Sequence, residues 1–192
     1  MDDKVYIMGE WGARWTSEDG GDTFTEITAD NEHSSFNQIV LQSGKVLSLV
    51  RKNDGGFTYF AYLSSDNTKT WEGPYDVMND RNAYRITMNG KLMQASNGRV
   101  FFISGETEDE NIGMLWIYYS DDEGKTWTKS KTIFTHGGTG ENLQEGAIVE
   151  LDNGVLRMYA RNDGGFLVYL DSHDNGETWD LCMQTSNFIS VV

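Results

Sequence analysis

An eight-residue motif occurs four times in this chain. Two copies, SDDEGKTW at 120–127 and SHDNGETW at 172–179, fit the pattern Ser-x-Asp-x-Gly-x-Thr-Trp. Looser copies are SEDGGDTF at 17–24, which ends in phenylalanine, and SSDNTKTW at 64–71, which has Thr68 in place of glycine. The copies begin 47, 56 and 52 residues apart. A period of about 40 to 50 residues is typical of repeat architectures, so the chain is predicted to stack similar units.

The residue types of the motif predict a tight turn, which we call the Ser-Asp loop. The aspartate can accept backbone N–H bonds within the turn, glycine can adopt a positive φ, and the aromatic ring can anchor the next strand. A calcium loop is the alternative, because DDEG and DNTK resemble the start of one. No glutamate closes such a loop at its twelfth position. The loops are therefore predicted to be structural, and no metal or cofactor is expected.

The sequence between the motifs consists of short β-type runs separated by glycine and Asx turns. Examples are KVLSLV, FTYFAYL, MLWIYYS and VLRMYA, and no window has a sustained helical period. Each unit reads as four strands, A to D, with the Ser-Asp loop between C and D. This pattern predicts an all-β fold, a β-propeller of four-stranded antiparallel blades. No linker divides the chain, so residues 1–192 are expected to form one propeller segment.

The number of units predicts an incomplete ring. Complete four-strand units are expected at about 36–75, 86–130 and 146–183, whereas the loop at Ser17 has only strands C and D around it. The chain thus holds roughly three and a half blades, fewer than the four to eight of a closed ring. Because an open propeller exposes a sheet edge, we expect closure either by flanking blades or by pairing in an oligomer.

Net charge limits the partners of the chain. With 30 acidic and 15 basic residues, the formal net charge is −15. Such a field repels phosphate backbones and anionic lipid headgroups, so nucleic acid and membrane surfaces are not expected partners. Cys182 is the single cysteine, and the opening MDDKVYIMGEW has neither a basic segment nor a long apolar run. The sequence predicts no signal peptide or membrane span within the chain, and a secreted or cell-surface parent protein stays possible.

One charged pair is not explained by the repeat. If 152–154 form a three-residue hairpin turn, Glu145 lies opposite Arg161 at the top of adjacent strands, away from the Ser-Asp loops. In the two preceding units the same register places other pairs at this position: Ser35 with Arg51, and Asn89 with Gly105. The fold does not require the Glu/Arg pair in every blade. Either it is a structural cross-strand salt bridge or it belongs to a site.

The Ser-Asp loops, together with EGAIVELDNGVLRMYARN at 145–162, resemble the Asp-box (BNR) repeats of the sialidase, or neuraminidase, superfamily of six-bladed propellers. In that family the glutamate partners a tyrosine nucleophile, and the arginine is one of three that hold the sialic acid carboxylate. The resemblance implies a catalytic role for Glu145 and a substrate-binding role for Arg161. A carboxylate can take the proton of a tyrosine hydroxyl, and an arginine fork matches a planar carboxylate.

The resemblance allows two alignments. If the loop at Ser64 is the family's first, Asp54 is the candidate acid and Asn37 replaces an arginine. If the loop at Ser17 is first, all four loops follow the family order, and we prefer this alignment. It implies that the acid and the tyrosine nucleophile lie outside the 192 residues. The string YRIT at 84–87 lacks the proline of the family's first arginine motif and is not assigned a role.

Other polar and aromatic residues are considered as members of a site. Arg51 and Asp54 are further candidates for substrate binding at the top of the second unit. The NDGG segments at 53–56 and 162–165 are predicted to be top-face turns, which could line a sugar pocket. Tyr159 and Tyr169 are predicted to be ordinary strand residues.

These observations predict a sialidase-like exo-glycosidase, a hydrolase that removes terminal sialic acid from glycoconjugates, present here as an incomplete catalytic domain. Its expected partner is a glycan or sialoside substrate. Two alternatives stay open. One is a non-catalytic propeller that binds a glycan or a protein, and the other is a glycosidase for neutral sugars, in which Arg161 would have no carboxylate to hold.

Overall fold

The computed structural model of the chain describes residues 5–8, 14–27, 37–53, 57–77, 85–87, 91–107, 113–132, 134–135, 143–162 and 167–184. The regular elements in these ranges are β-strands, as the sequence predicts, and no helix that could cross a membrane occurs among them. The strands are β1 (Val5–Met8), β2 (Arg14–Ser17), β3 (Thr25–Ile27), β4 (Gln38–Val40), β5 (Val46–Asn53), β6 (Phe57–Ser64), β7 (Glu72–Asp76), β8 (Arg85–Thr87), β9 (Met93–Gln94), β10 (Val100–Thr107), β11 (Gly113–Ser120), β12 (Thr128–Lys129), β13 (Phe134–Thr135), β14 (Leu143–Glu150), β15 (Leu156–Asn162), β16 (Leu167–Ser172) and β17 (Asp180–Gln184).

The strands form four separate antiparallel sheets that follow one another along the chain. We call them blade 1 (β1 to β3), blade 2 (β4 to β7), blade 3 (β8 to β13) and blade 4 (β14 to β17). Blades 2 and 4 have four strands in chain order, as predicted. In blade 3 two short strands, β8 and β9, pair with β10, and two short strands, β12 and β13, pair with β11. Blade 1 has three strands rather than the expected two, since β1 pairs with β2.

Each Ser-Asp loop is closed by its own side chains, as the sequence predicts. In the loop at Ser120, the Ser120 hydroxyl donates to Asp122 Oδ1 (2.8 Å) and accepts from the Gly124 N–H (2.8 Å). Thr126 donates its N–H to Asp122 Oδ1 (2.8 Å) and its hydroxyl to Oδ2 (2.7 Å). The same four bonds occur in the other three loops.

The core of the molecule lies between the blades. Successive residues of a strand point to opposite faces of its sheet, so a blade that is covered on both sides buries both sets. In blade 3, Phe102 and Tyr118 pack with Leu47 of blade 2, while Phe101 and Ile103 pack against blade 4. All of these side chains are at most 2% exposed.

The glycine at the fifth position of the Ser-Asp loop is a point of close approach between blades. A Cβ built on Gly124 would lie 2.6 Å from Leu47 Cδ1 of blade 2, and one built on Gly176 would lie 2.3 Å from Phe101 Cε1 of blade 3. Real Cβ atoms do not approach other atoms this closely. The motif therefore docks a blade on the preceding one, in addition to closing its own turn.

Candidate active site

Glu145 lies at a β-bulge in β14. Gln144 pairs with Arg161, but from Ala147 onward the pairing is shifted by one residue, so that Glu145 and Gly146 together oppose one residue of β15. The sequence-based register, with Glu145 directly opposite Arg161, is wrong for this reason. Glu145 has a φ of 54°, a left-handed conformation that is uncommon for residues other than glycine and costs roughly 1–3 kcal/mol.

The bulge allows both ends of β14 to bury apolar side chains. Leu143 is 1% exposed and Ile148 packs against the same core cluster, although the two are five positions apart and regular alternation would place them on opposite faces. The extra residue of the bulge shifts the alternation by one position, so that Leu143 and Ile148 face the same side of the sheet. At the bulge, a Cβ on Gly146 would lie 3.0 and 3.1 Å from two atoms of Ile103 and 3.3 Å from the Met158 sulfur. Glycine at position 146 thus lets the strand lie close to blade 3.

Despite the shift in register, Glu145 reaches Arg161. The distance from Glu145 Oε1 to Arg161 Nη1 is 3.3 Å, and the two side chains are 39% and 52% exposed. Exposed pairs of this kind contribute about 0–1 kcal/mol to stability, which does not exceed the cost of the left-handed backbone. A contribution to stability therefore does not explain why Glu145 is placed on this strained backbone beside Arg161. A carboxylate and an anion-recognising guanidinium, both accessible to solvent, are suited to binding and proton transfer.

The pair and the Ser-Asp loop lie at opposite ends of blade 4, as the sequence predicts. Leu156 pairs with Ser172, the first residue of the loop, whereas Arg161 pairs with Leu167 at the other end of β15. Five residues of a strand span about 16 Å. The structural motif and the candidate site therefore do not share residues.

The other predicted site residues are only partly placed. Arg51 lies in β5 opposite Tyr59, at the position in blade 2 that Arg161 has in blade 4, as the pairing of Val46 with Ser64 shows. The remaining predicted positions lie outside the described residues: Asp54, Ser35, Asn89 and the NDGG residues 54–56 and 163–165. The structure thus brings Glu145 and Arg161 together and leaves the roles of Arg51 and Asp54 as predictions.

The register predicted for blade 3 is also wrong at its upper end. Gly105 pairs with Thr87 and not with Asn89, whereas Phe101 pairs with Met93 as the hairpin register requires. Six positions of the sequence separate Thr87 from Met93, whereas four separate Phe101 from Gly105. These two additional residues account for the shift in register.

Asn37 has a structural role. It is 2% exposed, its side-chain Oδ1 accepts a hydrogen bond from the Leu92 N–H of blade 3 (2.9 Å), and its carbonyl accepts one from the Leu49 N–H (3.0 Å). A buried amide that joins two blades is poorly placed to contact a substrate. This observation counts against the alignment in which Asn37 replaces a substrate-binding arginine.

A second charged pair, which sequence reasoning missed, lies on the same face of blade 4 as Arg161. Arg157 binds Asp171 through two parallel bonds, Nε to Oδ1 and Nη2 to Oδ2, both 2.7 Å, and its guanidinium lies 4.4 Å from the ring centre of Tyr169. The bond to Asp171, assisted by one to Tyr159, raises the pKa of Arg157 above its usual range. Tyr159 and Tyr169 are paired strand residues, as predicted. The sequence did contain a signal for this pair: Arg157, Tyr159 and Arg161 occupy alternate positions of one strand, which places them on the same face of the sheet.

The aspartates of the Ser-Asp loops are engaged by their own turns. Bonds from the Thr70 N–H and hydroxyl lower the pKa of Asp66 from its ordinary value of 3.8 to about 2. The pKa of Asp19 is also lowered, first by the Ser17 hydroxyl and then by Thr23. Within the described ranges no three His, Cys, Asp or Glu side chains are grouped as metal ligands would be. In each loop the aspartate carboxylate accepts hydrogen bonds from the serine and threonine of the same turn and so stabilises that turn.

Comparison with known proteins places the chain in a family. A family model described as a BNR repeat-like domain matches residues 49–189. The chain belongs to the BNR repeat-like family. The sialidase of Paraclostridium sordellii is 28% identical to it over 141 residues, which cover 67% of this chain and 33% of that sialidase. The resemblance to the sialidase superfamily is thus confirmed, and the chain spans about a third of the length of this relative.

Solved structures confirm the propeller fold. The Trypanosoma rangeli sialidase in complex with sialic acid matches with a TM-score of 0.61 and 21% identity, over 88% of this chain and 32% of that one. The Penicillium chrysogenum α-L-arabinanase complexed with arabinobiose matches with a TM-score of 0.64 and 16% identity, over 80% of this chain and 49% of that one. The likeness to both establishes an all-β, glycoside hydrolase-like propeller fold, present as an incomplete ring, and does not by itself select a sugar.

Proposed function

We propose that this chain contributes to the active site of a sialidase-like exo-glycosidase, which removes terminal sialic acid from glycoconjugates. The observation that carries the proposal is the exposed Glu145–Arg161 pair on a strained bulge, at the end of blade 4 away from the Ser-Asp loop. The relationship to the Paraclostridium sialidase supports the same class of substrate. Backbone strain of this kind is often found at sites where function requires a particular side-chain position.

Arg161 is assigned the binding of the sialic acid carboxylate. A guanidinium presents a planar fork of N–H donors that matches a carboxylate through two parallel bonds. The Arg161 side chain is 52% exposed, so a substrate can reach it, and its 3.3 Å contact with Glu145 is longer than a tight charged hydrogen bond. A neutral sugar would offer this arginine no comparable partner.

Glu145 is assigned the role of general base. In retaining hydrolysis by a tyrosine, the carboxylate accepts the phenol proton, the phenolate oxygen bonds to the anomeric carbon as the glycosidic C–O bond breaks, and an acid protonates the leaving oxygen. Asp54 is the candidate acid of one alignment. No residue of this chain is assigned as the nucleophile, because the last tyrosine in the sequence, Tyr169, is a strand residue of blade 4.

The proposal predicts that the 192-residue chain binds sialic acid weakly and does not hydrolyse sialosides at a measurable rate. One charged hydrogen-bonded contact is worth about 1.5–3 kcal/mol, a factor of roughly 10 to 150 in affinity. Ligand-observed NMR with N-acetylneuraminic acid measures binding, and arabinose serves as the neutral control. Arg161→Ala should abolish the binding. Arg161→Lys keeps the positive charge but lacks the planar fork of N–H donors, so this variant should retain only part of the binding.

A fluorogenic sialoside assay with the same variants tests the assignment of residues. Absence of turnover agrees with the proposal. Turnover that both Glu145→Gln and Arg161→Ala abolish would support both roles and would mean that the chain, or an oligomer of it, assembles a full site. Turnover that neither substitution changes would refute the assignment, as would sialic acid binding that does not depend on Arg161.

A further inference from the structure

Two arginines of blade 4 are paired with carboxylates in different ways. Arg157 and Arg161 are four positions apart in β15, so both point to the face turned away from blade 3. Arg157 binds Asp171 through two parallel bonds of 2.7 Å. Arg161 Nη1, by contrast, lies 3.3 Å from Glu145 Oε1. The same strand therefore carries a closed ion pair and a loose one.

The surroundings of the two pairs differ in the same direction. The side chains of Arg157 and Asp171 are 27% and 11% exposed, and the guanidinium lies 4.4 Å from the ring centre of Tyr169. A guanidinium that is paired through its fork and stacked on a ring is committed to its partner. The side chains of Arg161 and Glu145 are 52% and 39% exposed, so water and salt screen their attraction. Arg161 can therefore exchange its partner more easily than Arg157 can.

The backbone keeps Glu145 within reach of Arg161 but leaves its carboxylate free to turn. The bulge in β14 and the φ of 54° fix the Cα of Glu145. Beyond the Cα, the side chain rotates about single bonds between staggered positions. The carboxylate can therefore leave the guanidinium while the strand and its pairing with β15 stay unchanged. Separation of the pair is a side-chain movement.

A ligand carboxylate would compete with Glu145 for Arg161. Both carboxylates are acceptors for the same planar set of N–H donors. Two negative charges beside one guanidinium also repel each other, since like charges a few ångström apart interact unfavourably even in water. Occupation of Arg161 by a ligand carboxylate and its contact with Glu145 therefore oppose each other.

We propose that the substrate carboxylate displaces Glu145 from Arg161, so that Glu145 is the exchangeable counter-ion of the arginine as well as the general base. The inference rests on the proposed function, because it takes sialic acid as the incoming carboxylate. In the free protein Glu145 and Arg161 neutralise each other. Once the substrate carboxylate occupies Arg161, the Glu145 carboxylate is released and can accept the phenol proton.

The exchange has a consequence for substrate selection. An uncharged sugar has no group that replaces a carboxylate on a guanidinium, so it leaves Glu145 in contact with Arg161. An acidic sugar both gains the arginine and releases the base. Discrimination between the two classes of sugar then arises in the supply of the base, in addition to the contact with Arg161 itself.

Substitution of Glu145 by glutamine tests the exchange. Glu145→Gln keeps the size of the side chain and removes the competing charge, so N-acetylneuraminic acid should bind it about 2- to 5-fold more tightly than the wild type, the factor expected for a weak exposed ion pair. Glu145→Asn should show the same gain, since asparagine tolerates the left-handed backbone. Asp152→Asn is the matched control, because it removes one negative charge from the exposed turn at the other end of blade 4. It should leave the affinity unchanged.

Ligand-observed NMR titration measures the affinities, with circular dichroism to check the fold of each variant. The methyl ester of N-acetylneuraminic acid lacks the negative charge and should show no gain with Glu145→Gln. Wild-type binding of the free acid that Glu145→Gln leaves equal or weakens would overturn the exchange and leave the proposed function standing. A gain that Asp152→Asn or the methyl ester reproduces would also overturn the exchange. Absence of sialic acid binding in both the wild type and Glu145→Gln would overturn the proposed function, and the exchange with it.

Discussion

Replacing Gly176 with alanine tests whether the Ser-Asp loop docks one blade on another. Gly176 has a φ of 84°, and a Cβ built on it lies 2.3 Å from Cε1 and 2.9 Å from Cζ of Phe101. Phe101 is fully buried between blades 3 and 4, so its ring cannot move away without opening the core. The left-handed backbone costs alanine about 1 kcal/mol, and overpacking a core adds about 1–3 kcal/mol. We expect the free energy of unfolding to fall by about 3 kcal/mol and Tm by roughly 6–12 °C.

Gly154→Ala is the matched control for this substitution. Gly154 lies in the same blade with a φ of 78°, and a Cβ built there meets no atom of the described residues within 4 Å. Only the backbone cost of about 1 kcal/mol should remain. Urea unfolding followed by tryptophan fluorescence measures both variants, with an unchanged m-value as the sign that the same structure unfolds. Equal losses of stability in the two variants would refute the steric argument.

Three further substitutions test the turns and the bulge. Thr68 has a φ of 65°, so Thr68→Gly should raise the free energy of unfolding by about 1 kcal/mol, and an unchanged urea midpoint would contradict this expectation. The pKa of Asp66 is lowered from 3.8 to about 2, so the carboxylate stabilises the fold fully above about pH 4, and this contribution is lost as the pH falls to about 2. Urea unfolding between about pH 4 and 2 should therefore show a smaller loss of unfolding free energy for Asp66→Asn than for the wild type. Glu145→Gly should be about 1 kcal/mol more stable than Glu145→Ala, since both lack the carboxylate and only glycine relieves the left-handed backbone; equal stability would mean that the bulge is not strained.

The fold was predictable because the chemistry of the repeat is local. The bonds that close a Ser-Asp loop join residues at most four positions apart, so the motif itself specifies the turn. Even the loop without glycine keeps them, because the Thr68 N–H donates to the Ser64 hydroxyl at 2.8 Å. The strands on either side then follow from their alternation and from the turn. Contacts between residues this close in sequence can be predicted from a single sequence.

The register near the candidate site was not predictable from the same signals. The bulge at Glu145 depends on Gly146 lying against Ile103, a residue of another blade more than 40 positions earlier in the sequence. A hairpin rule that extends pairing from the turn has no information about this contact. The prediction for Gly105 failed in a similar way, because two additional residues separate Thr87 from Met93 and the hairpin rule does not allow for them. The predicted contact between Glu145 and Arg161 nevertheless forms, because the two side chains are long enough to meet across a shift of one residue.

The differences among the blades separate packing from other roles. Where a position serves only to pack one blade on the next, it is apolar, as at Leu47 and Phe101. Blade 4 departs from this rule on the face turned away from blade 3, where Arg157 and Arg161 are each paired with a carboxylate. One of these carboxylates, that of Glu145, lies on a backbone conformation that glycine would adopt at lower cost. The bulge is held by core residues on both sides, so the carboxylate cannot relax by slipping the strand by one residue, because that would expose Leu143. The role of general base proposed above for Glu145 requires a carboxylate at a fixed place, since proton transfer depends on position before it depends on pKa.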